Sequence, residues 1–213
     1  MPRYGFFVLI AICFVLTACR RTSPSSPSPS APTGVPTSAV PTIAATATAP
    51  TGTVIKPEGQ LLIVSHPDFY WTLKLPQDWV ITHDTGFEIE ANNPNQTGFI
   101  HLLSQTWLSK DRKPNARAYV DYWKNTTYGD LFPIFAEGTL VSETEINPDR
   151  LGGPYLRYEF DDSRHGLRYA QVYAAAGGPN ALVVTGRAKT ADYSSVQAVL
   201  DGILNSAGLM PEK

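Results

Sequence analysis

Cysteine is scarce in this sequence: Cys13 and Cys19 stand near the amino terminus and none follows. That excludes a disulfide framework, and with it a thiolate zinc centre or a cysteine nucleophile in the body of the chain. Acidic residues are missing from the first 57 positions; all 19 Asp and Glu lie from Glu58 onward, whereas Arg3, Arg20, Arg21 and Lys56 make the leading segment purely basic. The region 58–213 therefore carries a formal charge of −6. This speaks against nucleic acid as a partner, because phosphate binding needs a basic face. Signatures of metal and nucleotide chemistry are lacking as well. The four histidines (66, 83, 101, 165) form no HxH, HExxH or Glu-x-x-His pair, and there is no P-loop, GxGxxG or Gly-x-Ser-x-Gly elbow. The sequence predicts neither a metal nor a cofactor.

What the amino terminus does contain reads as an export signal. Arg3 and the α-amino group precede Tyr4–Ala18 (YGFFVLIAICFVLTA), fifteen residues without a charge. A membrane-spanning helix needs about 20 apolar residues, so this run is short for a span and suits a signal sequence. Leu16-Thr17-Ala18-Cys19 resembles the lipobox of bacterial lipoproteins. The resemblance implies cleavage of residues 1–18, loss of Cys13, and diacylglycerol on the Cys19 thiol. Two or three acyl chains, at ~0.8 kcal/mol per buried methylene, hold a protein stably on a membrane where one chain does not. The expected location is the extracytoplasmic face of a bacterial cell membrane, with the membrane itself a partner through Cys19.

Residues 19–57 read as a lipidated cysteine and a disordered linker. From Thr22 to Thr53 the chain is almost wholly Ser, Thr, Pro and Ala, with seven prolines. Apolar area there is too small to offset the entropy of ordering, and proline favours extended conformations. Residues 58–213 form the one expected globular domain. Short strand-like runs are predicted at Leu61–Ser65, Phe69–Leu75, Trp79–Thr82, Phe87–Ala91, Gly98–Trp107, Thr139–Ile146, Tyr155–Asp161, Leu167–Ala175 and Ala181–Lys189, separated by turn-forming residues. Phe69, Trp71, Leu73 and Leu75 alternate with polar neighbours, the period of a half-buried strand. Ala116, Tyr119, Val120 and Trp123 fall at helical spacing after a capping Asn115. Leu131–Phe135 is ambiguous. Tyr193, Val196, Val199, Leu200, Ile203 and Leu204 make one stripe of a closing helix over about 191–207, with Gly208 as its stop. Strands that bunch rather than alternate with helices indicate an α+β fold built on an antiparallel sheet.

The order of these segments is similar to the Mog1/PsbP-like families, which include bacterial lipoproteins. Tyr70–Trp79 (YWTLKLPQDW) looks like their opening strand, and Gly152–Phe160 (GGPYLRYEF) like their central hairpin. The closing strand and the amphipathic helix ending Leu204-Asn205-Ser206 look like their tail. The resemblance covers most of 61–209 and implies an antiparallel sheet sandwiched by helices. The families are mostly non-enzymatic and supply no shared catalytic set.

Two constellations remain as candidates for chemistry. Glu159-Phe160-Asp161-Asp162-Ser163-Arg164-His165 is the densest polar cluster. Glu159, Asp161, Asp162 and His165 are the candidates for an oxygen-ligand ion site or a carboxylate–histidine pair, against the alternative of a solvated hairpin tip. Trp71, Trp79, Trp107 and Trp123, with Tyr119, Tyr122 and Tyr128, are candidates for a binding groove, against the alternative of ordinary core. The reading that follows is a lipid-anchored, non-catalytic domain that binds a protein or assembly partner at the membrane surface. The alternatives are a glycan or small-molecule module and a carboxylate-dependent hydrolase.

Overall fold

The computed structural model describes residues 47–48, 51–125 and 138–212, all within one compact unit, Thr42–Lys213. The signal segment, Cys19, most of the linker, Tyr128 and the ambiguous Leu131–Phe135 lie outside the described residues. No helix among the described residues is long and apolar enough to cross a membrane.

Among the described residues twelve strands form two sheets in which every pairing is antiparallel. The first combines β1 (Ala47–Thr48), β2 (Val54–Glu58), β3 (Leu61–His66), β4 (Trp71–Pro76) and, from the far end of the chain, β12 (Gly208–Leu209), in the order β1-β2-β3-β4-β12. The second holds β5 (Val80–Asp84), β6 (Glu88–Asn92), β7 (Gly98–Thr106), β8 (Thr139–Ile146), β9 (Tyr155–Asp162), β10 (Leu167–Ala175) and β11 (Asn180–Lys189), in the order β5-β6-β7-β11-β10-β9-β8. Helix α1 (Ala116–Asn125) and helix α2 (Thr190–Ser206) are the α-helices among the described residues.

Side-chain alternation in the central strands places the helices on opposite faces. Tyr173, Ala175, Ala181 and Val183 pack with Ala116, Tyr119, Val120 and Trp123 of α1. Their strand neighbours Val172, Ala174, Leu182 and Val184 pack with Tyr193, Val196, Leu200, Ile203 and Leu204 of α2. The same second core takes in Val64, Trp71, Leu73 and Leu75, so the five-stranded sheet and α2 share one side of the larger sheet. The expected antiparallel sheet between helices is present, and a second sheet is added to it.

Local chemistry explains the element ends. Asn115 caps α1 as its spacing implied: its Oδ1 accepts from Ala118 N at 3.0 Å. The end of α2 has a different cause from the one expected. Gly208 belongs to β12, and the last carbonyls of the helix are taken by Arg150, whose Nη1 donates to Ser206 O (2.7 Å) and Ala207 O (2.9 Å). The folded unit also starts earlier than residue 58. Val54–Glu58 pairs with Leu61–Ser65 of β3, and Ile55 packs on the core. Pro57 is tolerated because β1 covers only Val54 and Ile55 of that strand, leaving Pro57 on an effective edge.

The junction of that added strand is fixed by His66, a buried ring. Its Nε2 lies 2.8 Å from Thr51 O, and its Nδ1 accepts from the amides of Asp68 and Phe69 at 3.3 Å. Thr53 Oγ1 donates to Asp84 Oδ1 at 2.9 Å, and that carboxylate also accepts from Gly86 N at 2.8 Å. One histidine and one aspartate thus tie the start of the domain to two turns.

Two paired glycines separate conformation from space. Gly152 (φ +76°) would place a Cβ 2.4 Å from the backbone oxygen of Ala175, whereas Gly177 (φ +71°) faces open space. Gly177→Ala should lower unfolding stability by ~1 kcal/mol through its positive φ alone. Gly152→Ala adds a collision with rigid backbone and should lose at least ~2 kcal/mol. Urea midpoints of the two variants check this ordering. His66→Ala, which strands three backbone groups and opens a cavity, should cost ~2–4 kcal/mol in the same assay.

Candidate functional site

Antiparallel pairing gathers one set of loops at one end of the sheets. The turn between β3 and β4 (67–70) meets the end of β7, because Ser104 Oγ donates to Phe69 O (3.3 Å) and Ser104 N to Phe87 O (2.7 Å). The start of β11 lies beside the end of β7, with Asn180 opposite Thr106. Met210 N donates to Tyr70 O at 2.7 Å, which brings the carboxy-terminal tail to the same end.

Between these loops and the end of α1 is an open groove of about 460 Å³, lined by Phe69, Phe87, Leu103, Ser104, Gln105, Thr106, Tyr122 and Trp123. Its wall is aromatic. Phe69 and Phe87 meet edge-on at 6.1 Å, and Phe87 is 41% exposed. Phe69 in turn leans on the His66 ring at 4.6 Å, so the residues that hold the start of the domain also hold this wall. At its far side Tyr122 packs edge-on against Trp107 at 4.8 Å, and Lys113 Nζ lies 4.6 Å from the centroid of each ring. Among the described residues the lining contains no carboxylate, imidazole, thiol or amine. Such a surface can exclude water from an apolar partner and offer a few hydroxyl and amide contacts. It brings no acid–base pair together.

The aromatic candidates divide between core and groove. Trp71, Trp79, Trp123 and Tyr119 are buried in the two cores, as the ordinary-core alternative had it. Trp123 shows only an edge to the groove, and Tyr122 and Trp107, both half-buried, are the candidates at its side. The residues that sequence reasoning missed are Phe69 and Phe87. Phe69 read as the first residue of a strand, but Tyr70 has φ +50°, which ends the alternation and turns Phe69 outward into the groove.

The polar cluster does not converge. Successive residues of β9 point to opposite faces, so Glu159 lies on the α2 side and Asp162 on the other. Glu159 is consumed by Arg157 at 2.8 Å, whose Nη2 also reaches Asp201 of α2 at 2.6 Å. Arg157 is only 8% exposed, and this triad ties β9 to α2. Asp162 takes His165 instead: its Oδ2 is 2.7 Å from Nδ1 and its Oδ1 accepts from the backbone N–H at 3.1 Å. The His165 hydrogen bond holds the Asp162 carboxyl below the ordinary aspartate range. Asp161 shares the face of Glu159 and joins neither pair. No group of three or more His, Cys, Asp and Glu side chains among the described residues is arranged to hold a metal.

Other polar groups of the interior bond to one another. Tyr173 OH donates to Gln171 Oε1 (2.9 Å) and Gln171 Nε2 to Thr185 Oγ1 (3.0 Å), a buried chain under α1. Burial pushes the phenols of Tyr119 and Tyr173 well up, and that of Tyr158 up to about 12. His101, on a partly apolar strand, is 2.9 Å from Glu88 Oε1.

No protein-family model matches the chain, and no curated protein does. Among solved structures it is similar to the solution structure of cyanobacterial PsbP (CyanoP) from Synechocystis sp. PCC 6803. The TM-score is 0.53 and the identity 12%, over 72% of this chain and 94% of that one. A crystal structure from Bacteroides thetaiotaomicron VPI-5482 aligns at a TM-score of 0.37 and 14% identity, over 67% of this chain and 46% of that one. The first likeness establishes the fold: this chain has the antiparallel α+β architecture of a PsbP-like protein.

Proposed function

We propose that the protein is an extracytoplasmic lipoprotein, anchored through Cys19, whose domain binds a protein partner at the membrane surface without catalysing a reaction. The observation that carries this reading is the groove between α1, β7 and the Phe69 and Phe87 turns. It is open and aromatic, and among the described residues its lining has no group that could take or give a proton near neutral pH. Protein interfaces are built around such aromatic anchors. The lipobox-like Leu16–Cys19 and the Pro-rich segment after it supply the membrane part of the reading. A glycan platform draws less support, because Trp71, Trp79 and Trp123, three of its candidate stacking rings, are core residues.

The test is photo-crosslinking in native membranes with a benzophenone amino acid at Tyr122, followed by recovery of the full chain. A discrete protein adduct is expected, reduced about tenfold or more by Phe87→Asp, since loss of a central aromatic anchor costs 2 kcal/mol or more. Capture should also fall in the Cys19→Ser chain, which loses the anchor. Recovery of cell-wall fragments with no protein adduct would move the assignment to the glycan module. An adduct unaffected by Phe87→Asp would remove the groove from the interface.

A further inference from the structure

We propose that the loop Trp107–Lys113 docks on a phospholipid surface, with Leu108 as the inserted side chain and Lys110 beside the headgroups. The inference rests on the membrane-tethered reading above.

Leu108 is 71% exposed, the most exposed large apolar side chain among the described residues. A lone surface leucine needs no explanation, but this one is displayed by a rigid loop. Asp111 N donates to Leu108 O at 2.9 Å in a single 3-10 turn, Ser109–Asp111. Trp107 N donates to Pro179 O at 2.6 Å, and Gly177 N to Lys113 O at 2.8 Å. Lys113 is fixed over Trp107 and Tyr122. Exposure here is therefore held by the fold.

The loop also has apolar company. The neighbouring Gly177–Pro179 segment lines a hollow of about 310 Å³ with Tyr70, Leu151, Leu209, Met210 and Pro211, to which Asn180 and Glu212 add polar groups, and Leu151 is itself 45% exposed. Charge agrees in sign. The region 58–213 bears −6, yet Lys110, Arg112 and Lys113 stand against Asp111 alone within the loop; Arg112 is 3.6 Å from Glu212, which leaves Lys110 facing solvent beside Leu108. An apolar tip flanked by a cation is the chemistry of an anionic bilayer interface.

The tether makes so small a contact sufficient. It joins the fold at Ala47, opposite Ile55, close to the end of β2 that meets His66 and so to this same set of loops. Twenty-seven residues separate Cys19 from Ala47, a span of about 85 Å if fully extended at ~3.1 Å per residue. A linker of that length keeps the domain near the surface but does not orient it. Once the anchor is inserted, docking of the loop is an intramolecular event with a raised effective concentration.

The experiment uses the full chain, reconstituted by its lipid into protein-free vesicles, with an environment-sensitive fluorophore on Leu108→Cys or, at the opposite end of the sheets, on Asn95→Cys. Each labelled chain is first shown to melt as wild type does. On phosphatidylglycerol-containing vesicles the label at 108 should shift to the blue by about 10 nm and lose about threefold in iodide quenching, while the label at 95 stays aqueous. Lys110→Glu should reduce the shift on anionic vesicles and leave it unchanged on phosphatidylcholine. Equal, aqueous behaviour of the two labels overturns the proposal. So does a shift that appears in native membranes and not in protein-free vesicles, which would assign the loop to a protein. Membrane fractionation of the wild-type and Cys19→Ser chains scores the tether separately. If both are soluble, the tether reading fails, and the loop is scored by the same label on the Cys19→Ser chain at saturating lipid.

Discussion

Helix α2 reaches the sheet at Gly186, where a side chain would lie 3.2 Å from Leu204 and 3.6 Å from Leu200. That close approach lets α2 cover the middle of β11 while the other face of the same strand carries Ala181 and Val183 under α1. Both faces of the central strands are then dry. Their backbone groups can be satisfied only within the ladder, so β10 and β11 need full-length partners on each side, which β7 and β9 provide. The outer strands carry the polarity that the centre excludes: β8 is exposed along most of its length, with Glu143 and Glu145. The groove of Phe69, Phe87, Leu103 and Tyr122 accordingly lies at the loop end of this filled sheet.

Several titratable groups of the domain, Glu159 among the sequence candidates, are spent on holding layers and turns together. Arg157 is a guanidinium under α2, satisfied by Glu159 and Asp201, and removing either acid would leave a nearly buried charge short of a partner. His66 uses both ring nitrogens on backbone groups. A histidine so engaged fixes a junction and has no lone pair to offer a substrate. Asp84 is divided between Thr53 and Gly86. Each is an interlayer or inter-turn fastening, which is why the polar residues are spread through the molecule rather than drawn to one cleft.

Much of the fold was legible in the sequence because period-2 alternation and helical stripes report burial directly. Thr139–Ile146 and Leu167–Ala175 have the limits expected of them, and Tyr193, Val196, Leu200, Ile203 and Leu204 face inward as their spacing implies, whereas Val199, at the edge of that stripe, is 42% exposed. What escaped was set by partners distant in the chain. Val54–Glu58 contains a lysine, a proline and a glutamate, and only its pairing with β3 makes it a strand. The end of α2 depends on Arg150, more than fifty residues away, and no local signal at Gly208 could reveal it. The groove was half legible. Tyr122 follows from the helical spacing that turns Tyr119 and Trp123 inward, but Phe69 and Phe87 come together only through the turns that His66 and Asp84 fasten. Glu159 and Asp162 were adjacent on paper and are separated by the thickness of the sheet, because odd and even positions of one strand face different cores.

The same fastenings bear on how recognition and tethering are related. The segment that leads toward Cys19 is pinned at Thr51 by His66, and His66 also supports Phe69, the inner wall of the groove. The groove and the first described residues of the domain therefore lie at one end of a stiff body. A surface at the far end would have to be turned back toward the bilayer, with the domain itself in the way. At this end, the groove, the Leu108 loop and the tether junction can approach the membrane together. Were Cys19 acylated as proposed, a linker with a coil dimension of about 30 Å would hold the groove within a thin shell above the bilayer. Within that shell a partner also held on the membrane would meet it at a high effective concentration, so that an aromatic groove of modest area would be enough for stable association.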